Sequence, residues 1–133
     1  VNRSVKRGED LARRIEEKTL AEADFMSLTP GFGVPENTDI LVQATSIGLY
    51  PNTEEKPDID YRTILPSMTV CDVVPNPPRT RFLEEAGKQK ARVLDGLGML
   101  VYQGTVGFKL WTGKDAPVDA MKSALEQEFG VGE

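Results

Sequence analysis

Polar residues stand at the start of the sequence, where a strand-like end runs into a helical pattern. Asn2, Arg3 and Ser4 precede that pattern, and Arg7 lies one turn inside it. An arginine and a hydroxyl at a helix N-terminus suit a phosphate monoester, because the guanidinium donates paired hydrogen bonds and the helix dipole favours an anion. In a dinucleotide site this is the position of the adenosine ribose, and arginine there favours a 2′-phosphate. A solvated helix face is the alternative.

Two further segments place small or acidic residues at the ends of apolar runs. Thr45 and Ser46 follow the run 39–44 and lead to Gly48, and such small residues let a planar ligand approach the backbone. A plain turn is the alternative there. Asp72 lies in the second apolar run, 69–74, before a proline-rich loop. It is suited to act as an acid or a base, but we favour a structural role in which the carboxylate holds a neighbouring loop.

A fourth segment opens a long apolar helix with two glycines, Gly96 and Gly98. Met99 follows them, and Gln103 lies four residues later, so both side chains face the same side of the helix. An amide on the inner face of an apolar helix must find a hydrogen-bond partner. Substrate hydroxyls and a backbone carbonyl are the two candidates.

The composition excludes several classes of site. The 133 residues contain no histidine, which removes Ser-His and Cys-His nucleophiles, histidine-bearing zinc sites and histidine general bases, and we predict no metal site. The single cysteine, Cys71, excludes an internal disulfide and suits a reducing, cytoplasmic location. A net charge of −5 argues against nucleic acid and membranes as partners. No stretch approaches the roughly 20 apolar residues that span a bilayer.

Hydrophobic periodicity and turn residues divide the chain into helices and strands. The predicted helices are 5–18, a short helix that begins near Thr80 and stops at Gly87, 97–111 and 117–129. The predicted strands are 39–44, 69–74 and 91–94, while residues 50–68, with three prolines, form a loop. This order predicts a single α/β unit with a mainly parallel sheet. Ligands bind beyond the carboxyl ends of the strands in such sheets, so the four segments above form the candidate site.

The last predicted helix has its own start signal and its own apolar stripe. Asp115 is the predicted N-cap. The predicted buried stripe consists of Val118, Met121 and Leu125.

Four motifs together carry a family resemblance. Asn-Arg-Ser, Ala-Thr-Ser-x-Gly, Asp-Val-Val-x-Asn-Pro and Gly-Leu-Gly-Met-Leu-Val-x-Gln-Gly, in this order, resemble the nucleotide-binding half of shikimate dehydrogenases and their quinate/shikimate relatives. Residues 108–113 and the final helix continue the likeness, which covers essentially the whole chain. The resemblance implies a Rossmann-like, doubly wound sheet and NADP-linked oxidation of the shikimate ring hydroxyl to a ketone. The reverse reaction serves aromatic amino-acid biosynthesis.

The resemblance also implies roles for individual residues. Those that would hold the adenosine ribose and its 2′-phosphate are Asn2, Arg3, Ser4 and Arg7. Those that would line the rest of the cofactor are Thr45, Ser46, Val73, Gly96 and Met99, the last three near the nicotinamide. Gln103 would hydrogen-bond the substrate, shikimate or quinate. A homodimer is compatible with the sequence.

The family's catalytic lysine–aspartate pair lies in an earlier domain that this sequence does not contain, so no catalytic residue is assigned here. The glycine-rich phosphate loop, which in the family comes just before the position of Val1, is also not in the sequence. We therefore expect residues 1–133 to form a partial NADP-binding domain that lacks its first strand. Alone, it should neither catalyse hydride transfer nor reach a fully native fold.

Two positions depart from the family pattern. Pro75 stands where a tyrosine that contacts substrate is usual, and Gln43 stands where asparagine is usual. Proline has no side-chain donor, so the substrate contact of the usual tyrosine cannot form at this position. This departure leaves open whether the substrate is that of the family, whereas it bears less on the cofactor. The alternatives are a quinate/shikimate paralogue and a non-catalytic nucleotide-binding or regulatory module. A generic α/β domain such as a methyltransferase fits the 96–103 segment poorly.

Overall fold

The computed structural model describes residues 1–131. In chain order the elements are α1 (Val5–Lys18), β1 (Phe32–Gly33), β2 (Ile40–Gln43), β3 (Ile59–Asp60), a 3-10 turn (Tyr61–Thr63), β4 (Thr69–Asp72), α2 (Arg81–Lys88), β5 (Arg92–Leu94), α3 (Leu97–Thr112) and α4 (Val118–Phe129). They fall into two compact units. The first unit comprises residues 1–33 and 58–60, and the second comprises the rest of the described chain.

In the first unit, α1 follows a short extended segment that pairs with residues 26–28. The backbone N–H of Asn2 donates to the carbonyl of Met26 at 3.2 Å, and the N–H of Leu28 donates to the carbonyl of Asn2 at 3.0 Å. Gly8 is the buried residue of α1. The ring of Phe25 lies so close that an added Cβ would overlap it, so this position requires glycine. The two-residue strands β1 and β3 pair in parallel in the same unit.

The second unit is built on a three-stranded parallel sheet in the order β2-β4-β5. Val70 on the central strand β4 is fully buried, as is Ala86 on α2. Phe82 and Leu83 bury the same face of α2, which begins after the N-cap Thr80. Since all pairings are parallel, the carboxyl ends of the three strands share one edge of the sheet.

The face of this sheet that is turned away from Gln43 carries exposed apolar side chains. Ile40 and Val42 on β2 are 64% and 51% exposed, and Leu94 on β5 is 60% exposed. The sequence predicted a buried strand at 39–44, which is wrong for these two β2 side chains. Alternation along the strand turns them away from the face on which Gln43 is buried.

The helices α3 and α4 pack on each other, with Gly104 leaving room for the end of Met121. Asp115 does not cap α4, whose N-cap position is Pro117 without a side-chain hydrogen bond. Instead its carboxylate accepts a hydrogen bond from Lys109 Nζ at 2.7 Å. The predicted stripe of Val118, Met121 and Leu125 is half-buried rather than buried.

The predicted helices and strands are confirmed to within a few residues, but the short strand β1 was not predicted and two further local predictions were wrong. The predicted loop 50–68 contains β3 and the 3-10 turn. The second helix ends at Lys88 rather than at Gly87, and the left-handed backbone that follows is at Lys90 (φ 65°). None of the helices in residues 1–131 is both long enough and apolar enough to cross a bilayer.

Candidate functional site

The start of α1 in the first unit is fixed by two side chains. Ser4 is the N-cap, and its Oγ accepts a hydrogen bond from the backbone N–H of Arg7 at 3.4 Å. The Oδ1 of Asn2 accepts from the backbone N–H of Ser4 at 2.9 Å. Asn2 and Ser4 therefore set the path by which the chain enters the helix.

Three cations surround this helix start. Arg3, Lys6 and Arg7 are exposed, and among the described residues none of them forms an ion pair. The first turn of α1 contains no acidic residue. Cations at the positive end of a helix dipole are unfavourable unless an anion is bound. The arrangement is chemically suited to a phosphate group, and that role stays a prediction.

In the second unit, a cavity of about 680 Å³ lies beyond the carboxyl ends of β4 and β5. This volume is in the range of small-molecule sites, roughly 300–1,000 Å³. The cavity brings together three of the predicted cofactor residues, Val73, Gly96 and Met99. Its full lining is Cys71–Val73, Leu94–Met99, Val101, Tyr102, Val118, Lys122, Leu125 and Glu126.

Gly96 is required by a close approach of two backbone segments. A Cβ at this position would lie 2.8 Å from the carbonyl oxygen of Val74 and 3.1 Å from the carbonyl carbon of Val73. Gly96 is the N-cap position of α3 and has no side-chain cap, while Oδ1 of the preceding Asp95 accepts from the N–H of Leu97 at 3.0 Å. The glycine lets the start of α3 lie directly against the loop after β4.

A buried polar network lies at the same sheet edge. Asp72 accepts three hydrogen bonds, from the hydroxyl of Thr80 at 2.6 Å, the N–H of Val74 at 2.9 Å and the amide of Gln43 at 3.3 Å. All three side chains of the network, Gln43, Asp72 and Thr80, are buried. The structural role predicted for Asp72 is confirmed. Gln43 and Thr80 were not predicted in the network, although a polar residue that ends an apolar strand is a signal for one.

Thr45 and Ser46 lie in the turn after β2 and are exposed. They do not line the cavity. The hydroxyl of Thr45 accepts from the N–H of Ile47 at 3.2 Å, and Gly48 takes a left-handed conformation (φ 86°) that closes the turn. The alternative of a plain turn thus describes the local structure, while a contact with the cofactor stays a prediction.

Gln103 lies on α3 with an exposed side chain and does not line the cavity. The predicted inner-face position is wrong for this side chain, because it is open to solvent. Its role toward substrate stays a prediction.

Two charged residues of α4 line the cavity without having been predicted. Lys122 and Glu126 form an ion pair at 3.6 Å across one helical turn. Charges at this spacing are typical of a solvated helix face, so the sequence contained no signal that these two residues border a cavity.

The two clearest pKa shifts lie on α2, away from the cavity. Hydrogen bonds to Glu84 at 2.7 Å and to Glu54 raise the pKa of the Arg81 guanidinium above its usual value. A hydrogen bond from Lys88 at 2.8 Å lowers the pKa of the Glu85 carboxyl. In the described chain, no group of three or more carboxylate or thiol side chains is arranged to hold a metal ion.

Comparison with known proteins places these features in context. Residues 96–126 match the family model of the shikimate 5′-dehydrogenase C-terminal domain. The shikimate dehydrogenase (NADP(+)) of Methanopyrus kandleri is 44% identical over 126 residues, which are 93% of this chain and 43% of that protein.

Two crystal structures share the fold with a TM-score of 0.85. One is the ligand-free 5-ketofructose reductase of Gluconobacter sp. strain CHM43, 40% identical, covering 96% of this chain and 46% of that one. The other is a shikimate dehydrogenase in complex with NADP+, 37% identical, covering 97% and 45%. The chain spans a little less than half the length of these relatives.

Proposed function

We propose that this chain is the NADP-binding part of an enzyme that interconverts shikimate and 3-dehydroshikimate. The chain belongs to the shikimate dehydrogenase family, as its C-terminal domain. The observation that carries this proposal is the cavity at the carboxyl ends of two parallel strands, lined by Val73, Gly96 and Met99. A doubly wound sheet binds dinucleotides in such a crevice. The relatives from Methanopyrus kandleri and Methanocaldococcus jannaschii, 44% and 39% identical, are named shikimate dehydrogenase (NADP(+)).

The first unit offers the donors that the adenosine end of NADP requires. Arg3 and Arg7 would pair with the 2′-phosphate, because both guanidiniums are exposed and lack a carboxylate partner among the described residues. The hydroxyl proton of Ser4 and the amide of Asn2 would face the ribose. This set favours NADP over NAD, since an acidic residue at this position would instead hydrogen-bond a free 2′-hydroxyl.

The second unit offers the apolar walls that the nicotinamide end requires. When bound, NADP+ accepts a hydride from carbon, and NADPH returns it. Val73 and Met99 would exclude water from the reacting face, and Gly96 would let the ring approach the backbone. Thr45 and Ser46 would supply hydroxyl donors to the more polar part of the cofactor.

No acid or base for the reacting hydroxyl is assigned within this chain. The lysine–aspartate pair implied by the family resemblance belongs to the earlier domain, and Gln103 would contribute a hydrogen bond to substrate from α3. We accordingly propose that residues 1–133 contribute to cofactor binding in the protein that carries them and do not catalyse hydride transfer by themselves. A cytoplasmic location and a homodimer also stay proposals.

Calorimetric titration of the protein that carries this chain with NADP+ and with NAD+ tests the cofactor assignment. The proposal predicts that NADP+ binds at least tenfold more tightly than NAD+. NAD+ has no 2′-phosphate and therefore lacks about one charge-assisted contact. Equal affinity for the two cofactors would remove the role given to Arg3 and Arg7.

A second candidate is reduction of a different polyhydroxylated ketone by the same cofactor. Two observations favour it: Pro75 offers no side-chain hydrogen bond beside the cavity-lining Val73, and the 40% identical relative is a 5-ketofructose reductase. Comparison of kcat/KM for shikimate, quinate and 5-ketofructose decides between the two. A higher value for 5-ketofructose would reassign the substrate and leave the cofactor assignment intact.

A further inference from the structure

The side chain of Gln43 joins both ends of the turn that follows β2. Its Oε1 accepts a hydrogen bond from the backbone N–H of Thr45. Its Nε2 donates to the backbone carbonyl of Ile47 at 3.0 Å. One buried amide thus holds the beginning and the end of the 45–47 segment at the same time.

The orientation of this amide is set by Asp72. The Oδ1 of Asp72 lies 3.3 Å from Nε2 of Gln43, and its carboxylate also accepts from Thr80 and from the N–H of Val74. An ionised carboxylate only accepts, so it selects the amide rotamer that directs Nε2 toward it. The Oε1 must then point at the turn, where the N–H of Thr45 meets it.

These bonds divide the roles of the two exposed residues of the turn. The N–H of Thr45 is used by Gln43, and the hydroxyl of Thr45 accepts from Ile47. Ser46 is exposed, and within residues 1–131 neither its N–H nor its hydroxyl has a hydrogen-bond partner. The donors of Ser46 therefore remain available to a ligand.

We propose that Gln43 is a positioning residue: its amide binds the N–H of Thr45 and fixes the turn so that the N–H and hydroxyl of Ser46 are presented to the cofactor. The inference rests on the proposed function, because it takes the ligand of the turn to be NADP. It assigns to Gln43, which touches no ligand itself, a share of the cofactor affinity through a turn that is preorganised before binding.

The test compares Gln43→Met with Val70→Ala in the protein that carries this chain. Methionine matches the length of glutamine but offers neither bond to the turn, whereas Val70→Ala opens the core of the same sheet without touching the turn. Calorimetry with NADP+ and thermal unfolding are measured for both. Gln43→Met should raise the Kd about three- to tenfold, the usual effect of losing a preorganised loop. Val70→Ala should lower Tm but change the Kd less than about twofold, since Val70 neither lines the cavity nor hydrogen-bonds the turn.

Hydrogen exchange of the unmodified protein gives a second measurement that does not depend on whether the variant folds. The N–H of Thr45 should be protected without ligand, while that of Ser46 should exchange freely and become protected when NADP+ is added. Protection that appears at Thr45 and not at Ser46 would overturn the assignment.

The outcomes separate the two proposals. If the unmodified protein binds no NADP+, the proposed function fails and the positioning role fails with it. If it binds NADP+ and Gln43→Met binds equally well, or if Val70→Ala weakens binding as much, only the positioning role is overturned.

Discussion

The start of α1 shows how single residues can imply a ligand through unfavourable electrostatics. Arg3, Lys6 and Arg7 place positive charge where the helix dipole is itself positive, and no described carboxylate offsets them. Stability alone would favour acidic residues there. A bound phosphate group would reverse the sign of this interaction, which supports the role proposed for Arg3 and Arg7 toward the cofactor.

Arg3→Ala should weaken NADP+ binding roughly ten- to a hundredfold, since one charge-assisted contact contributes about 1.5–3 kcal/mol. NAD+ binding should change little, because NAD+ lacks the 2′-phosphate. Calorimetric titration of the variant with both cofactors measures the difference. Arg14→Ala, which removes the same charge from the exposed far end of α1, is the control and should leave both affinities within about twofold. An equal loss for both cofactors would refute the 2′-phosphate role.

Gly96 and Gly98 frame the same motif but differ in what surrounds them. Gly96→Ala should destabilise the protein by about 1–3 kcal/mol, because its Cβ would meet the backbone at Val73 and Val74. Gly98 has no atom within 4 Å of an added Cβ, so Gly98→Ala should be neutral or stabilise by about 0.4–1 kcal/mol. Urea unfolding of both variants checks the contrast. Wild-type stability in Gly96→Ala would show that the close approach is absent in solution.

At the scale of elements, Thr80 links the start of α2 to the end of β4. Its hydroxyl accepts from the N–H of Leu83 as an N-cap and donates to Asp72 at 2.6 Å, while its side chain is fully buried. One residue thus caps a helix and satisfies a buried carboxylate. Helix α2 is thereby fixed to the sheet edge that carries the cavity.

Thr80→Val should destabilise the protein by about 2–3 kcal/mol, because a cap is lost and a buried carboxylate oxygen loses its donor. Thr80→Ser keeps the hydroxyl and removes a methyl group, so its loss should be close to about 1 kcal/mol. Chemical denaturation at neutral pH measures both. The account of this link is wrong if the serine variant is as unstable as the valine variant.

An ion cluster joins the loop before β3 to α2. Glu85 accepts from Lys88 and lies 3.4 Å from Lys56, and these contacts lower the pKa of its carboxyl. A carboxyl whose pKa is lower in the folded than in the unfolded state stabilises the fold above its unfolded pKa, about 4.3 for glutamate. That contribution is lost as pH falls through the folded value.

Glu85→Gln should therefore be slightly less stable than wild type at pH 7, by less than about 1 kcal/mol for a surface cluster. The difference should shrink to nothing as pH falls below the glutamate range. Glu55→Gln is the control, since Glu55 is exposed and forms no ion pair among the described residues, and it should change the stability at pH 7 by less than about 0.5 kcal/mol. Thermal unfolding across pH would contradict the account if the Glu85→Gln difference persisted at low pH.

The sequence predicted the elements better than their environments. Strand and helix positions follow from local periodicity, and α1 at 5–18 was predicted to the residue. The exposure of Ile40 and Val42 could not be predicted, because a short apolar run does not show which face another element covers. The predicted inner-face position of Gln103 on α3 was wrong for the same reason. The Gln43–Asp72 bond joins two strands that are 29 residues apart in sequence, and no local pattern encodes it.

At the scale of the whole molecule, cofactor binding and catalysis are assigned to different parts of the enzyme. The chain spans less than half the length of its relatives, and each of its two units contains a set of residues that we propose for cofactor binding. Neither set includes an assigned acid or base. We therefore propose that this chain binds NADP and that the groups that act on the reacting hydroxyl lie outside it.

Hydride transfer to NADP+ from shikimate, followed by the absorbance of the reduced cofactor, tests the central claim most directly. The protein that carries this chain should reduce NADP+ in the presence of shikimate, faster than it reduces NAD+. Residues 1–133 alone should give no turnover. Absence of NADP+ reduction by the whole protein with shikimate, quinate or 5-ketofructose would contradict the assignment as a dehydrogenase, and turnover by residues 1–133 alone would contradict the placement of its catalytic groups.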